Sequence, residues 1–191
     1  PLLDLWPHPA KGAPVKKESL DKLNDAIRDV HDFPKPGIVF KDITPLLADG
    51  KLLRLTTELF AETLKGAEVD KVIGIDARGF IFGAALADRI GAGFIPVRKK
   101  GKLPWKTTGV PYSLEYGEAH VEIHKDAIHS GERVILVDDL LATGGTAGAA
   151  IKLVQELGGK IVCVSFLIEL EFLEGRKNLD SDVRIEALLR Y

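Results

Sequence analysis

The sequence predicts an α/β fold: three layers, with a mostly parallel sheet flanked by helices. Apolar runs of strand length alternate with amphipathic stretches of helical length, which implies parallel pairing and right-handed crossovers. One run, Val134, Ile135, Leu136 and Val137, is aliphatic throughout, as a strand covered on both faces must be. The size agrees, since 191 residues with 46% hydrophobic and 28% charged side chains suit a single core.

Residues 1–18 carry Pro1, Pro7, Pro9 and Pro14 with two short basic runs and no helical or strand period. They are expected to form an arm on the surface, with residues 19–191 as a single domain. Ser19 is placed to cap a helix whose Leu20, Leu23, Ile27 and Val30 recur on one face. Phe33, Pro34, Lys35, Pro36 and Gly37 then end it by denying donors and helical angles. A second amphipathic helix follows Asp49, with Leu52, Leu55, Leu59 and Phe60 facing inward.

Residues 69–75 read as a buried strand that stops at Asp76, Ala77, Arg78 and Gly79 and feeds a helix over 80–90. Residues 94–98 give a short strand, and 99–111, polar, cationic and rich in turn formers, read as a long mobile loop. His120, Val121, Glu122, Ile123 and His124 alternate as a half-exposed strand does. The central strand covers 133–138, a turn 139–145, a helix 146–157, and a last strand surrounds Cys163. Repeats and low-complexity tracts are absent.

Composition excludes several classes. A net charge of −2 provides no global field for nucleic acid, so an anion must be held by a local set of donors. A single cysteine, Cys163, rules out a disulfide framework within the chain and reads as a small core residue. No apolar stretch approaches the ~20 residues that span a bilayer. The opening residues, broken by Asp4 and Pro7, do not resemble a secretory signal, and a reducing cytoplasmic setting is expected. His8, His31, His120, His124 and His129 make no metal-ligand spacing with Cys163.

The chemistry concentrates where the central strand ends. Asp138 and Asp139 emerge at its carboxyl end, the edge at which open α/β sheets bind ligands. Leu140 and Leu141 follow, and then Ala142, Thr143, Gly144, Gly145 and Thr146 lead into a helix. Small residues let backbone N–H groups approach a phosphate, the helix dipole favours the anion, and Thr143 and Thr146 add hydroxyls. Neither a triphosphate-binding loop nor a dinucleotide fingerprint stands here.

Residues 138–146 resemble the phosphoribosyl-diphosphate signature of the type I phosphoribosyltransferases. Residues 33–191 are similar to the adenine phosphoribosyltransferase branch, through the stretches 33–43, 77–80, 98–104 and 112–117. The proline-rich arm and an extra residue or two around 105–108 depart from that pattern.

The resemblance implies the type I phosphoribosyltransferase fold, with a flexible catalytic loop and a small hood. It also implies a reaction of adenine with 5-phosphoribosyl 1-diphosphate that gives AMP and pyrophosphate. Asp138 and Asp139 would accept hydrogen bonds from the ribose hydroxyls, and Ala142, Thr143, Gly144, Gly145 and Thr146 would hold the 5-phosphate. Arg78, Arg98, Lys99 and Lys102 would meet the pyrophosphate together with Mg²⁺, itself bound mainly through substrate and water near Asp138. Tyr116 belongs to the same substrate site. Arg98 and Lys99 are expected to cross the interface of a homodimer.

Glu115 would move the proton as N9 bonds to the sugar. Phe40 would stack on adenine, the backbone of Val39 and Lys41 would read its edge, and Leu170 would close the other face. Two alternatives remain at this point: a phosphoribosyltransferase for hypoxanthine, guanine, xanthine or another base, and a non-catalytic sensor of phosphoribosyl diphosphate.

Overall fold

Strands whose successive residues are all apolar must be covered on both faces, and the layers of the molecule follow from that demand. The computed structural model describes residues 17–64, 66–114 and 117–191. In chain order the elements are α1 (Lys17–Asp25), β1 (Arg28–His31), β2 (Val39–Asp42), α2 (Thr44–Ala48), α3 (Gly50–Thr63), β3 (Lys71–Ile75) and α4 (Gly79–Ile90). Then come β4 (Gly93–Lys99), β5 (Thr107–Leu114), β6 (Gly117–His124), β7 (Arg133–Leu141), α5 (Gly145–Glu156) and β8 (Lys160–Glu169). Two 3₁₀ turns, Glu171–Leu173 and Gly175–Asn178, precede β9 (Ile185–Arg190).

The main sheet has seven strands in the order β5-β6-β4-β3-β7-β8-β9. β4, β3, β7, β8 and β9 are parallel neighbours, and the β5–β6 hairpin adds antiparallel to β4. Ile73, Leu136 and Val164 point to one face, where Ile151 and Val154 of α5 cover them. Val72, Ile135 and Cys163 point to the other, against Phe60 of α3 and Phe82 and Leu86 of α4. The rings of Phe60 and Phe82 meet edge-on at 5.8 Å. Each such side chain contributes about 1.5–3 kcal/mol by leaving water. Cys163 is a buried member of this core, as its apolar run predicts.

At the amino end of the sheet, Asp70 accepts from Arg133 Nε at 2.9 Å and from Arg133 N at 2.8 Å, tying the entry of β3 to that of β7. Arg133 also pairs with Glu68.

Four expectations need correction. α1 ends at Asp25, so Ser19 lies inside the helix rather than capping it, and Ile27 and Val30 do not extend its stripe. Residues 28–31 form β1 instead, because pairing with β2 places Arg28 opposite Asp42 and Asp29 opposite Lys41, with Lys41 Nζ 2.7 Å from Asp29 Oδ1. The expected loop over 99–111 shortens to 100–106, since the β-branched Thr107, Thr108 and Val110 pair with β6 and bury Val110. The turn expected at 139–145 begins later, because Leu140 and Leu141 stay in register with Ile168 and Glu169.

Asp49 does start the second helix, its side chain accepting from Lys51 N at 2.7 Å and Leu52 N at 3.2 Å. The arm expected over residues 1–18 lies outside the described residues as far as residue 16, and residues 17 and 18 belong to α1. No helix among the described residues is long and apolar enough to cross a membrane.

Candidate active site

Strand order places the site. From β3 the chain passes through α4 to β4 on one side, and from β7 through α5 to β8 on the other, so the direction of winding reverses between β3 and β7. A crevice opens at the carboxyl ends of strands at such a point. β3 delivers Asp76, Ala77 and Arg78 to it, and β7 delivers Asp138 and Asp139.

The two arms touch. Arg78 Nε lies 2.6 Å from Asp139 Oδ2, with the Arg78 side chain 43% exposed and that of Asp139 only 9%. Gly79 is what permits this closeness: a Cβ there would stand 2.7 Å from Asp138 Oδ1 and 2.9 Å from Val137 O. Asp138 accepts from the Asp139 N–H at 2.9 Å. Burial first, and then the charge of Asp139, push the Asp138 carboxyl well above the ordinary carboxylate range; the Asp139 N–H and Arg78 pull the other way by less.

After Leu141 the chain bends through Ala142 and Thr143 to Gly144, which caps α5 at φ +84°, a left-handed angle that favours glycine. Gly148 N donates to Gly144 O at 2.8 Å and closes the first helical turn. The N–H groups at this start have no acceptor within the helix and suit an anion. Beside the turn is a cavity of about 490 Å³, bordered by Gly144, Gly145, Tyr112, Lys152 and Asn178.

Of the cations expected around a leaving group, Arg98 is half-buried and committed: its Nε donates to Asp76 Oδ2 at 3.1 Å and its Nη1 to Lys102 O at 3.1 Å. Lys99 and Lys102 are exposed. Asp76, to which the sequence reading assigned no role, orients Arg98 at this edge.

Phe40 meets Phe33 edge-on at 5.3 Å, and the Arg78 guanidinium carbon stands 5.7 Å from its ring centroid. The structure therefore brings Phe40, Arg78 and Asp139 into one row. Val39 and Lys41 are two apart on β2, so their backbone groups face the same way. Lys41 Nζ is engaged with Asp29 and lies 3.9 Å from the Tyr191 ring centroid, so its side chain is occupied away from Phe40. Leu170 is half-buried, and its N–H donates to Leu141 O at 2.9 Å, which ties it to the end of β7. Glu115 and Tyr116 lie outside the described residues.

Sequence reasoning missed the support behind the loop. Asn178 Nδ2 donates to Thr143 O at 2.8 Å, and Gly175 packs against Ala142 and Gly144. No local pattern signals it, because the contact joins residues 35 positions apart.

A family model for the phosphoribosyl transferase domain matches residues 43–185. An adenine phosphoribosyltransferase of Clostridium botulinum (strain Loch Maree / Type A3) is 52% identical over 169 residues, covering 88% of this chain and 98% of that protein. The crystal structure of the adenine phosphoribosyltransferase of Rhodothermus marinus DSM 4252 superposes with a TM-score of 0.88 at 51% identity, covering 92% of this chain and all of that one. That of Saccharomyces cerevisiae, complexed with D-2,5-dideoxy-2,5-imino-altritol 1,6-bisphosphate and adenine, gives a TM-score of 0.87 at 37% identity, over 91% of this chain and 99% of that one.

Proposed function

The chain belongs to the phosphoribosyl transferase domain family and, within it, to the adenine phosphoribosyltransferases; from that premise we propose how its residues perform the purine-salvage reaction of adenine with phosphoribosyl diphosphate. The observation that carries the reading is the row formed by Phe40, Arg78 and Asp139, an aromatic face, a cation and a carboxylate in contact at the switch point of the sheet.

The 5-phosphate sits on the turn from Ala142 through Thr143, Gly144 and Gly145 to Thr146. The ribose hydroxyls donate to Asp138 and Asp139. Arg78, Arg98, Lys99 and Lys102 meet the pyrophosphate, and Arg98 and Lys99 act across a homodimer interface. Tyr116 contributes to the same phosphoribosyl-diphosphate site.

Among the described residues no cluster of three or more acid, histidine or cysteine groups could cage a metal. Two adjacent carboxylates, one already paired to Arg78, fit a Mg²⁺ that takes most of its ligands from substrate oxygens and water near Asp138. When bound, that ion neutralises charge on the leaving group.

Adenine stacks on Phe40, with Leu170 on its other face, and the backbone of Val39 and Lys41 reads its amino group and ring nitrogen. The N9–C1′ bond forms as the C1′–O bond to pyrophosphate breaks, on opposite faces of the sugar, so the carbon inverts without a covalent enzyme intermediate. Glu115 takes the proton from the imidazole ring and faces the cationic sugar. The setting proposed for this chemistry is the cytoplasm.

The test is to incubate the protein with phosphoribosyl diphosphate, Mg²⁺ and each base in turn and to assay nucleotide. Adenine is expected to exceed hypoxanthine and guanine by about 100-fold in kcat/KM, because a 6-oxo group loses a hydrogen bond and gains a repulsion. Comparable rates with hypoxanthine overturn the adenine assignment.

A further inference from the structure

Behind the turn that leads into α5 lies a second piece of chain, residues 169–178, which the reaction scheme above uses only at Leu170. Its backbone is in direct contact with the turn. A Cβ on Gly144 would fall 2.4 Å from Gly175 O, and one on Gly175 would fall 2.1 Å from Ala142 O. Neither position has room for a side chain, so two stretches of bare backbone are stacked on each other.

The second stretch is itself anchored. Glu169, 4% exposed at the end of β8, accepts from Arg176 Nε at 2.6 Å and from Arg176 Nη2 at 2.7 Å. Arg176 Nη1 also donates to Ile185 O at 3.0 Å, tying the 3₁₀ turn to β9. A two-pronged pair of this kind fixes orientation as well as distance. The fork holds Gly175 in place, and Gly175 in turn limits where Ala142 and Gly144 can move.

The last connection is directional. Asn178 Nδ2 donates to Thr143 O at 2.8 Å. The Thr143 carbonyl and the Gly144 N–H belong to one planar trans peptide and point in opposite senses. Drawing the carbonyl toward Asn178 therefore aims the Gly144 N–H the other way. The following peptide is pinned by the Gly148 N–H on Gly144 O, which likewise fixes the Gly145 N–H. Two successive donors are thus set before any ligand arrives, and an anion meets them without first having to turn them.

We propose that residues 169–178 are a buttress that pre-orients the phosphate-holding turn, with Asn178 as its positioning residue. This rests on the reading that the turn at 142–146 holds the 5-phosphate. Asn178 touches neither the base nor the sugar in that scheme, and its effect is confined to the end of the substrate that carries the 5-phosphate.

The experiment measures binding of AMP, which carries the 5-phosphate, and of pyrophosphate, which does not, by calorimetry on the parent, Asn178→Ala and Asn178→Leu. Asn178 is exposed, so both variants keep the fold, which thermal melting checks. Leucine retains the bulk of asparagine without its donor. Both variants are expected to bind AMP about 3–10-fold more weakly, the worth of one hydrogen bond, with pyrophosphate affinity unchanged within twofold. AMP affinity in Asn178→Leu equal to the parent, or pyrophosphate falling in step with AMP, overturns the buttress. A parent that binds pyrophosphate but no AMP overturns instead the phosphate reading on which the buttress rests.

Discussion

Arg78 and Asp139 form the shortest bridge between the two arms of the site, 2.6 Å between Nε and Oδ2, and the same guanidinium faces the ring of Phe40. One cation therefore stands beside both the Phe40 ring and the acid pair. Its removal has two separable effects.

Arg78→Ala is expected to raise KM for phosphoribosyl diphosphate about 10-fold or more, because a charge-assisted contact to the leaving group disappears. It also leaves Asp138 and Asp139 adjacent with no cation between them. Because Arg78 is 43% exposed, the loss in stability is held to about 1 kcal/mol by solvent screening. Steady-state kinetics and thermal melting check the two effects independently. Unchanged KM in the alanine variant removes Arg78 from the substrate site.

Glu115→Gln is expected to lower kcat by about 100-fold or more while KM for phosphoribosyl diphosphate moves only a few-fold, since proton transfer is needed in the transition state and not in the ground state. Equal kcat in variant and parent reduces Glu115 to a bystander.

Residues 100–106 between β4 and β5 include the exposed Lys100, Lys102 and Lys106, with Trp105 65% exposed beside them. Limited trypsin digestion of the ligand-free protein is expected to cut here first. Phosphoribosyl diphosphate with Mg²⁺ is expected to slow that cut, because a cationic sugar must be shielded from water and closure draws the lysines toward the pyrophosphate. Adenine alone carries no such charge and should give little protection. A cutting rate indifferent to saturating ligand means that this segment does not cover the site.

The side chain and then the backbone N–H of Arg133 hold the Asp70 carboxyl well below the usual carboxylate range. A depressed carboxyl adds stability that is fully present above the unfolded value, about 3.9, and is lost as pH falls toward the folded one. Asp70→Asn is therefore expected to melt below the parent at pH 7, with the gap narrowing only below about pH 4. Melting curves across pH 2.5–8 decide it; a gap constant throughout that range means that the charge on Asp70 contributes nothing.

The central strands and their helices were legible because each carries its own pattern: an aliphatic run for β7, an amphipathic period after the Asp49 cap for α3. β1 was not. Leu20, Leu23, Ile27 and Val30 fit a helical face in isolation, and only the cross-strand partners on β2 reveal that Val30 stands opposite Phe40 instead. Similarly, the glycines and lysines of 99–111 hid a strand whose partner is β6. The acid pair and the phosphate turn could be placed from chemistry carried by adjacent residues. The Arg98–Asp76 pair and the Asn178–Thr143 contact join residues 22 and 35 positions apart, and no local pattern encodes such contacts.

The parallel sheet sends Asp70 and Arg133 to one end and Gly144 to the other, and this separation has a practical use. Near the entry of β3 and β7 is a recess of about 390 Å³ bordered by Ala61, Leu64, Ala67, Ile90 and Arg133, remote from every group assigned to substrate. Ala67 is exposed there. A fluorophore or a surface-attachment handle introduced at Ala67 would hang from the floor of the molecule and leave its mouth open to solution.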